Sequence, residues 1–228
     1  MKKLICILLA AGLTLCLFVP ALGADAPADA EDLVTDAYTY APDDGGYGGG
    51  YHVPQINLEG PGAAAVNAAI WADLYEGYMY DVQAAAESGE WSYIIGIDYS
   101  WAQSGDVLSL LAAVRYEAND LCDYFVYNVS LADGERLSDR ELFQALGTDR
   151  AGFNELLRQA VSAQYDAFAE FTDADFIATQ RDNSLSDEII ARAKPYMGPD
   201  GSLCAVGLFY PIAGAERCFQ TFDLTPAA

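Results

Sequence analysis

The stretch that decides the fold is residues 91–131, WSYIIGIDYSWAQSGDVLSLLAAVRYEANDLCDYFVYNVSL. Apolar and aromatic residues take alternate positions in three runs, as they do along half-buried strands. The turn sequences Ser104-Gly105-Asp106 and Asn119-Asp120 separate the runs. Three successive strands with tight turns predict an antiparallel meander. The inward residues are Trp91, Tyr93, Ile95, Ile97, Tyr99 and Trp101, then Leu108, Leu110, Ala112, Val114 and Tyr116, then Leu121, Phe125, Tyr127, Val129 and Leu131, with Asp123 as an exposed strand start.

A helix and one or two strands precede the meander. Pro61 begins the predicted helix and Gly89 ends it, because apolar residues recur every four positions between them. This stripe consists of Val66, Ile70, Leu74, Tyr78 and Val82. Residues 51–58 predict a short edge strand, since Pro54 has no N–H to donate to a central ladder. Tyrosines that alternate with small residues make Val34 to Tyr40 a candidate first strand.

Helices and a hairpin follow the meander. Ser138-Asp139-Arg140-Glu141 forms a capping-box pattern that predicts a helix ending near Gly147, and a longer helix is predicted over 151–171. One or two shorter helices are expected over 173–194, and a breaker cluster follows. Residues 203–210 and 217–224 predict a closing hairpin. Together these patterns predict an α+β fold, in which an antiparallel sheet of meander plus C-terminal hairpin carries helices on one face.

The N-terminus has the pattern of a secretory signal peptide, residues 1–23. Lys2 and Lys3 precede an apolar run of signal-peptide length, and Ala21-Leu22-Gly23 is a small-x-small cleavage pattern, with a second one ending at Ala26. The alternatives are a lipoprotein acylated at Cys16 and an uncleaved anchor. Residues 24–50 predict an acidic and Gly-rich tether that includes the candidate first strand, and residues 51–228 a single α+β domain. No later segment is long and apolar enough to span a bilayer, so we expect a secreted or extracytoplasmic protein.

The charge of the chain is strongly negative. It has 34 Asp and Glu against 11 Lys and Arg, a net charge of −23. Loss of Lys2 and Lys3 with the leader lowers the charge to −25, with Lys194 as the one remaining lysine. Such a surface excludes a general affinity for nucleic acid or anionic lipid. It favours a cationic partner, through an attraction that salt weakens.

Three cysteines remain after the leader: Cys122, Cys204 and Cys218. In an oxidising compartment they allow three single disulfides, each of which leaves one thiol over. Cys204 and Cys218 lie on the two arms of the predicted hairpin, out of register with each other, and a bridge from Cys122 to either is an equal candidate. Three buried thiols are the remaining alternative.

Residues with catalytic or metal-binding chemistry are few. His52 is the only histidine, and it lies beside a glycine run with no evident nucleophile, so we predict no catalytic residue and no metal site. The acidic segments at Asp173 and Asp182 lack the glycine and ligand spacing of a calcium loop. Paired carboxylates that hydrolyse a glycan stay an alternative, although alternation assigns Asp98 to the solvent face. No cofactor is predicted.

One aromatic row could face a ligand. Strand alternation aligns Trp91, Tyr93, Tyr99 and Trp101 on one face of the first meander strand. Such a row serves either as a core face beneath helices or as a stacking platform for a sugar, and the core is the favoured reading.

Several segments, in order, resemble a known family. They are Tyr51-His52-Val53-Pro54-Gln55-Ile56, Asn67 with Ile70, Tyr127-Asn128-Val129 before Asp133-Gly134, Leu137-Ser138-Asp139 with Leu142-Phe143, and Gly207-Leu208-Phe209-Tyr210-Pro211-Ile212-Ala213-Gly214. The pattern resembles the extracytoplasmic domain of unknown function shared by the lysozyme-sensing anti-sigma factor RsiV and the N-terminal region of the peptidoglycan deacetylase PdaC. The resemblance covers roughly residues 34–224.

The resemblance implies a non-enzymatic binding or sensing module outside the membrane. A basic protein such as lysozyme would suit the charge, and a peptidoglycan fragment is the other implied ligand. Two alternatives stay open from the residues alone: a carboxylate-based hydrolase of cell-wall glycans, and a structural or assembly protein of the envelope.

Overall fold

In the computed structural model, residues 33–42, 50–90, 92–117, 121–168, 173–213 and 216–225 are described. The signal-peptide prediction for residues 1–23, Cys16 and Trp91 lie outside them. The strands are β1 (Val34–Tyr40), β2 (Tyr51–Ile56), β3 (Ile94–Ser104), β4 (Val107–Tyr116), β5 (Cys122–Ser130), β6 (Lys194–Met197), β7 (Leu203–Phe209) and β8 (Cys218–Asp223). The helices are α1 (Pro61–Ile70), a π-helical segment (Trp71–Met79), α2 (Tyr80–Ser88), α3 (Asp139–Ala145), α4 (Arg150–Phe168), α5 (Ala174–Ser184) and α6 (Asp187–Arg192).

The first sheet contains the predicted meander. Its strand order is β1-β2-β3-β4-β5, and β3, β4 and β5 pair antiparallel as the alternation predicts. The sheet is mixed, because β2 runs parallel to β3 through one pair, Tyr51 with Ile97. The prediction of β2 as an edge strand is therefore wrong, since β1 takes that place. Pro54 is tolerated inside the sheet for two reasons. The pairing of β2 with β3 lies at Tyr51, away from Pro54. On the other side, Pro54 pairs with Asp36, and the register of β1 shifts immediately after that residue.

The C-terminal hairpin forms as predicted, but it belongs to a second sheet. β7 and β8 pair antiparallel, and β6 adds to β7 on the other side. The single sheet of meander plus hairpin is therefore wrong in this detail. The missed element is β6, which lies where Pro195 indicated a break. Proline is compatible with this strand because β6 is at the edge of its sheet, where one side needs no ladder donor.

The two sheets pack face to face between helical layers. α1, the π-helical segment and α2 cover one face of the first sheet, with Ile70 and Leu74 against Leu110. The opposite face packs on the second sheet, where Leu111 meets Val206. All residues from Val107 to Val114 are buried in consequence. The prediction that helices pack on one face of a single sheet is therefore wrong in this detail. The unbroken apolar run of β4 is typical of a strand that is covered on both faces.

α4, α5 and α6 cover the outer face of the second sheet. Phe153, Leu157 and Tyr165 of α4 pack with Phe209 and Phe222 in this layer. The α+β class is confirmed, and the described residues from 33 onward belong to one compact unit that includes β1. Within the described residues, no helix has the length and apolar character of a bilayer span.

Hydrogen bonds of buried polar side chains fix the position of one sheet on the other. Ser109 donates to Asn128 Oδ1 at 2.5 Å, and the Met197 N–H donates to Ser109 Oγ at 3.0 Å. Asn128 Nδ2 donates to the carbonyl of Pro195 at 2.9 Å. Each bond joins a buried group to a partner, so the two sheets cannot slide without losing them. Burial also leaves no room for a glycan on Asn128, although Asn128-Val129-Ser130 matches the acceptor pattern.

Candidate binding site

A π-helical segment changes which side chains of the first helix face the sheet. Ile70 and Leu74 are buried four residues apart as predicted, but the next buried residue is Met79 and not Tyr78. A π turn adds about one residue to each turn, which moves the apolar stripe by one position. Tyr78 thereby lies at the margin of the core, where it is half-buried. Its hydroxyl donates a 3.0 Å hydrogen bond to Asp123 Oδ2 at the start of β5.

Asp123 accepts hydrogen bonds from two tyrosines. Besides Tyr78, Tyr116 at the end of β4 donates to the same Oδ2 at 2.6 Å. Burial first, and then the bond to Asp123, raises the pKa of Tyr78 to about 12. The same causes raise the pKa of Tyr116 well above its usual value. Both hydroxyls therefore keep their protons at neutral pH and remain donors to the carboxylate.

Two further aromatic rings pack on the tyrosines that bind this carboxylate. Phe125 meets Tyr78 edge-on with ring centroids 5.9 Å apart, and Tyr93 stacks on Tyr116 at 6.2 Å. Tyr93 is 66% exposed, so this end of the cluster is open to solvent. We define the tyrosine–carboxylate site as Tyr78, Tyr93, Tyr116, Asp123 and Phe125.

A second carboxylate lies on the same helical segment. Exposed Asp73 accepts a 2.8 Å hydrogen bond from the hydroxyl of Tyr127, a neighbour of Asp123 on β5. Burial and the bond to Asp73 raise the pKa of Tyr127. The Arg136 guanidinium lies 5.3 Å from the Tyr127 ring centroid and donates to the carbonyl of Val126. The π-helical segment thus contributes one tyrosine and one carboxylate to contacts with β5.

The chemistry of the site suits a cation. Asp123 offers a carboxylate, while Tyr93 and Tyr116 offer ring faces that attract a guanidinium or ammonium group. The tyrosine hydroxyls already satisfy Oδ2, so they hold the carboxylate in a fixed orientation before any ligand arrives.

The predicted aromatic row divides between core and surface. Tyr99 and Trp101 are half-buried against the main core, whereas Tyr93 is exposed and belongs to the tyrosine–carboxylate site. A β-bulge between Ile94 and Gly96 breaks the alternation, because the extra residue reverses the faces on its two sides. Trp91, the fourth member of the row, lies outside the described residues.

The structure separates the cysteines. Cys204 pairs in register with Asp223, and Cys218 pairs with Phe209, so the two thiols are out of register as expected. Cys204 faces the first sheet and Cys218 faces the helices. Among the described residues, none of the three cysteines is in a disulfide. Cys122 and Cys218 are half-buried and Cys204 is buried, which raises the pKa of the Cys204 thiol.

The other candidate residues have structural contacts. His52 Nδ1 lies 3.1 Å from Asp36 across the β1–β2 pair, and Asp173 caps α5 by accepting from the N–H groups of Asp175 and Phe176. Asp98 forms an ion pair with Arg115 at 2.6 Å. The described part of the chain contains no group of three His, Cys, Asp or Glu residues that could hold a metal ion.

Sequence reasoning missed the role of Asp123. It was expected as an exposed strand start, but it is half-buried on the face that carries Phe125 and Tyr127. The alternation along β5 places Asp123 on the same face as the inward-pointing aromatic residues. A carboxylate on a buried face needs hydrogen-bond donors around it, so this position indicates a bound Asp123. The two donors come from the ends of other elements, which sequence spacing does not bring together.

Comparison with known proteins gives no family for this chain. No protein-family model matches it. No curated protein matches it either.

Proposed function

We propose that this protein is a secreted bacterial envelope domain of the RsiV/PdaC type that acts as a non-enzymatic binding or sensing module for a cationic protein. The observation that carries the proposal is the tyrosine–carboxylate site, in which Asp123 is held by two tyrosine hydroxyls beside the exposed ring of Tyr93. The net charge of −23 supports it, because it attracts basic proteins from a distance.

The proposed contact is a lysine or arginine side chain of the partner. Its charged group pairs with Asp123 and its stem lies along Tyr93, so that carboxylate and ring act on the same cation. A cation–π contact contributes about 0.5–2 kcal/mol, depending on how far it is desolvated. The wider negative surface mainly increases the association rate, and this contribution falls as salt rises.

The test is calorimetric titration of the exported protein with lysozyme at about 50 and 300 mM salt, a range across which surface charges become increasingly screened. Cytochrome c, a second basic protein, is the control, because its binding measures the affinity that comes from charge attraction alone. We expect lysozyme to bind at both salt concentrations, and more tightly at the lower one. Peptidoglycan fragments are titrated in parallel, because they are the other ligand that the resemblance implies. Failure of lysozyme to bind at either salt would overturn the proposal.

Three variants locate the contact. Tyr93→Ala removes the exposed ring, and Asp123→Asn removes the carboxylate charge. Asp182→Asn on α5 removes the same charge from an exposed position outside the site. We expect the first two to weaken lysozyme binding at least fivefold and the third to leave it within twofold. Equal losses in Asp123→Asn and Asp182→Asn would mean that total charge, and not this site, governs binding.

The non-enzymatic part of the proposal has its own assay. The protein is incubated with purified peptidoglycan, and release of soluble fragments or reducing ends is followed. No turnover above a heat-denatured sample is expected. Turnover that a single Asp or Glu substitution abolishes without unfolding the protein would replace this proposal with a glycan hydrolase.

A further inference from the structure

Each sheet ends in two edge strands, β1 and β5 in the first sheet and β6 and β8 in the second. An edge strand can pair with another chain unless some feature opposes it, such as a bulge, a proline, a lysine or a covering segment. The register of β1 shifts after Asp36, and Glu135 and Leu137 already hydrogen-bond to backbone groups on the outer side of β5. The short strand β6 begins with Lys194 and Pro195. Only β8 lacks all of these features.

The outer edge of β8 is open among the residues that the structure describes. β8 pairs with β7 without a shift over all of its 6 residues, and it contains neither proline nor lysine. The N–H of Leu224 donates to the carbonyl of Leu203, which fixes the alternation of the β7–β8 ladder. The backbone groups of Phe219, Thr221 and Asp223 therefore point away from β7. None of these groups has a hydrogen-bond partner in the described part of the chain.

The side chains of β8 divide between a covered face and an exposed face. Phe222 packs in the helix layer, and Gln220 accepts a hydrogen bond from Gln164 of α4. The residues of the opposite face, counted from the position before the strand, are all exposed: Arg217, Phe219, Thr221 and Asp223. The ring of Phe219 is 45% exposed. A large apolar ring thus lies between two opposite charges, in one row beside the open backbone edge.

We propose that β8 pairs antiparallel with β8 of a second copy of this chain, which joins the two three-stranded sheets into one continuous sheet. A twofold axis relates two identical strands that pair in this way. With the axis at Gln220, Arg217 lies opposite Asp223 of the second copy, and symmetry repeats the ion pair at the other end. Phe219 then lies opposite Thr221 of the second copy, so outward backbone groups meet outward backbone groups.

The charges and the exposed ring favour this register over its neighbours. An axis moved by one residue in either direction separates Arg217 from Asp223 of the second copy. With the axis at Gln220, the two Phe219 rings are diagonal neighbours across the new strand pair, at a spacing that aromatic side chains bridge. The pairing would therefore cover the exposed rings and satisfy the open ladder at once. It involves no residue of the tyrosine–carboxylate site and does not depend on the proposed function.

The experiment is sedimentation of the exported protein at about 150 mM salt, where the Debye length of about 8 Å limits the repulsion between two acidic copies. The protein concentration is varied from about 1 µM to 1 mM, which spans the dissociation constants expected of a small interface. We expect the mean mass to rise from that of one chain toward that of two. Hydrogen exchange at the N–H groups of Phe219 and Thr221 should slow at least fivefold as the mass rises. A monomer at every concentration, or a dimer without this change in exchange, would overturn the proposal.

Charge reversal tests the register. Arg217→Asp and Asp223→Arg each set like charges opposite one another at both ends of the strand pair, so we expect each variant alone to dimerise at least tenfold more weakly. A mixture of the two variants restores opposite charges at both ends, and we expect it to form a heterodimer with an affinity within threefold of the unchanged protein. Arg140→Asp on α3 and Asp182→Arg on α5 make the same changes of charge at exposed positions outside β8, and should leave dimerisation within twofold. No recovery in the mixture, or equal losses in the two control variants, would overturn the proposed pairing.

A proline tests the backbone ladder separately from the charges. The N–H of Thr221 points away from β7, so Thr221→Pro removes a donor of the outer edge and leaves the β7–β8 ladder in place. We expect this variant to remain a monomer up to about 1 mM, a concentration at which even weak complexes form. Far-UV circular dichroism checks that it is folded. A folded Thr221→Pro variant that dimerises as tightly as the unchanged protein would exclude β8 as the interface.

Discussion

Tyr116 and Asp123 join the two ends of the β4–β5 turn through a 2.6 Å hydrogen bond from the tyrosine hydroxyl to the carboxylate. Tyr78 donates to the same oxygen from the π-helical segment, so a single acceptor ties the helix to the edge of the sheet. Hydrogen bonds to a charged acceptor are stronger than those between neutral groups. The site is therefore part of the fold as well as a candidate contact surface.

Removal of the Tyr116 hydroxyl should destabilise the protein. Tyr116→Phe keeps the ring stacked on Tyr93 but removes one donor from Asp123. We expect the free energy of unfolding to fall by about 1.5–3 kcal/mol, the usual contribution of a hydrogen bond to a charged group. Urea denaturation measures it. Tyr80→Phe, at a ring that is 71% exposed, is the control and should change stability by less than about 0.5 kcal/mol. Equal effects of the two substitutions would contradict the role of the bond.

Alkaline pH should unfold the protein as its buried tyrosines ionise. Burial raises the pKa of both Tyr78 and Tyr165 to about 12, while the pKa of an unfolded tyrosine is about 10. The folded state thus holds its phenolic protons more tightly than the unfolded state. Stability from these groups is complete below about pH 10 and is lost as pH rises from about 10 through 12. Ultraviolet absorbance of tyrosinate measures the ionisation, and far-UV circular dichroism measures the unfolding. Normal titration of every tyrosine with an unchanged dichroism spectrum would contradict this prediction.

The sequence predicts local structure well where one pattern dominates. The Ser138 hydroxyl accepts from the N–H of Glu141, and the Glu141 carboxylate accepts from the N–H of Ser138, which is the predicted capping box of α3. The meander and the closing hairpin follow from alternation and turn residues. In each of these cases the deciding interactions lie within a few residues of each other or between neighbouring strands.

The errors arise where tertiary contacts override a local period. A four-residue spacing assigns Tyr78 to the core, but the π turn places Met79 there instead. The sequence does not predict the second sheet, because Pro195 indicates a break in local structure. β6 forms only through its pairing with β7, in which Pro195 pairs with Ala205 and Tyr196 with Cys204. The polarity of Asp123 alone predicts an exposed residue, whereas the residue is half-buried. Two of these errors, at Tyr78 and Asp123, meet at the candidate site, where local rules are most often broken for function.

The polar contact between the sheets should contribute to stability. Ser109→Ala leaves the N–H of Met197 without its acceptor and Asn128 Oδ1 without its donor in a buried layer. We expect a loss of about 1–3 kcal/mol, the cost of leaving a buried polar group unpaired. Ser104→Ala, at an exposed position of β3, should have almost no effect. Thermal and urea unfolding of both variants check the difference, and indistinguishable midpoints would show that the contact is dispensable.

Substitution by alanine should change the stability in opposite directions at Gly62 of α1 and at Gly77 of the π-helical segment. A Cβ at Gly62 would lie 2.8 Å from the backbone N of Glu135 and 2.8 Å from the backbone C of Gly134, which cannot move aside as a side chain can. At Gly77 the nearest atom is the carbonyl oxygen of Ala72 at 3.5 Å, an ordinary contact. Gly62→Ala should destabilise the protein by about 1–3 kcal/mol through overpacking. Gly77→Ala should stabilise it by about 0.5–1 kcal/mol, because alanine loses less backbone entropy in a helix. A change in stability of the same sign in both variants would contradict the close packing of Gly62 on the backbone of Gly134 and Glu135.

Thiol labelling should separate the cysteines by burial. Cys204 is 6% exposed and burial raises the pKa of its thiol, so little reactive thiolate is present in the folded state. Cys122 and Cys218 are half-buried and should react first with an alkylating reagent at neutral pH. A Cys204–Cys218 disulfide should not form, because the two residues lie five register positions apart on β7 and β8, about 17 Å along the strand, far beyond the reach of a disulfide. Mass spectrometry after native labelling, compared with labelling in denaturant, measures both expectations. Cys204 modified as fast as the other two, or a peptide linking Cys204 to Cys218 in protein exported to an oxidising compartment, would contradict this packing of the second sheet.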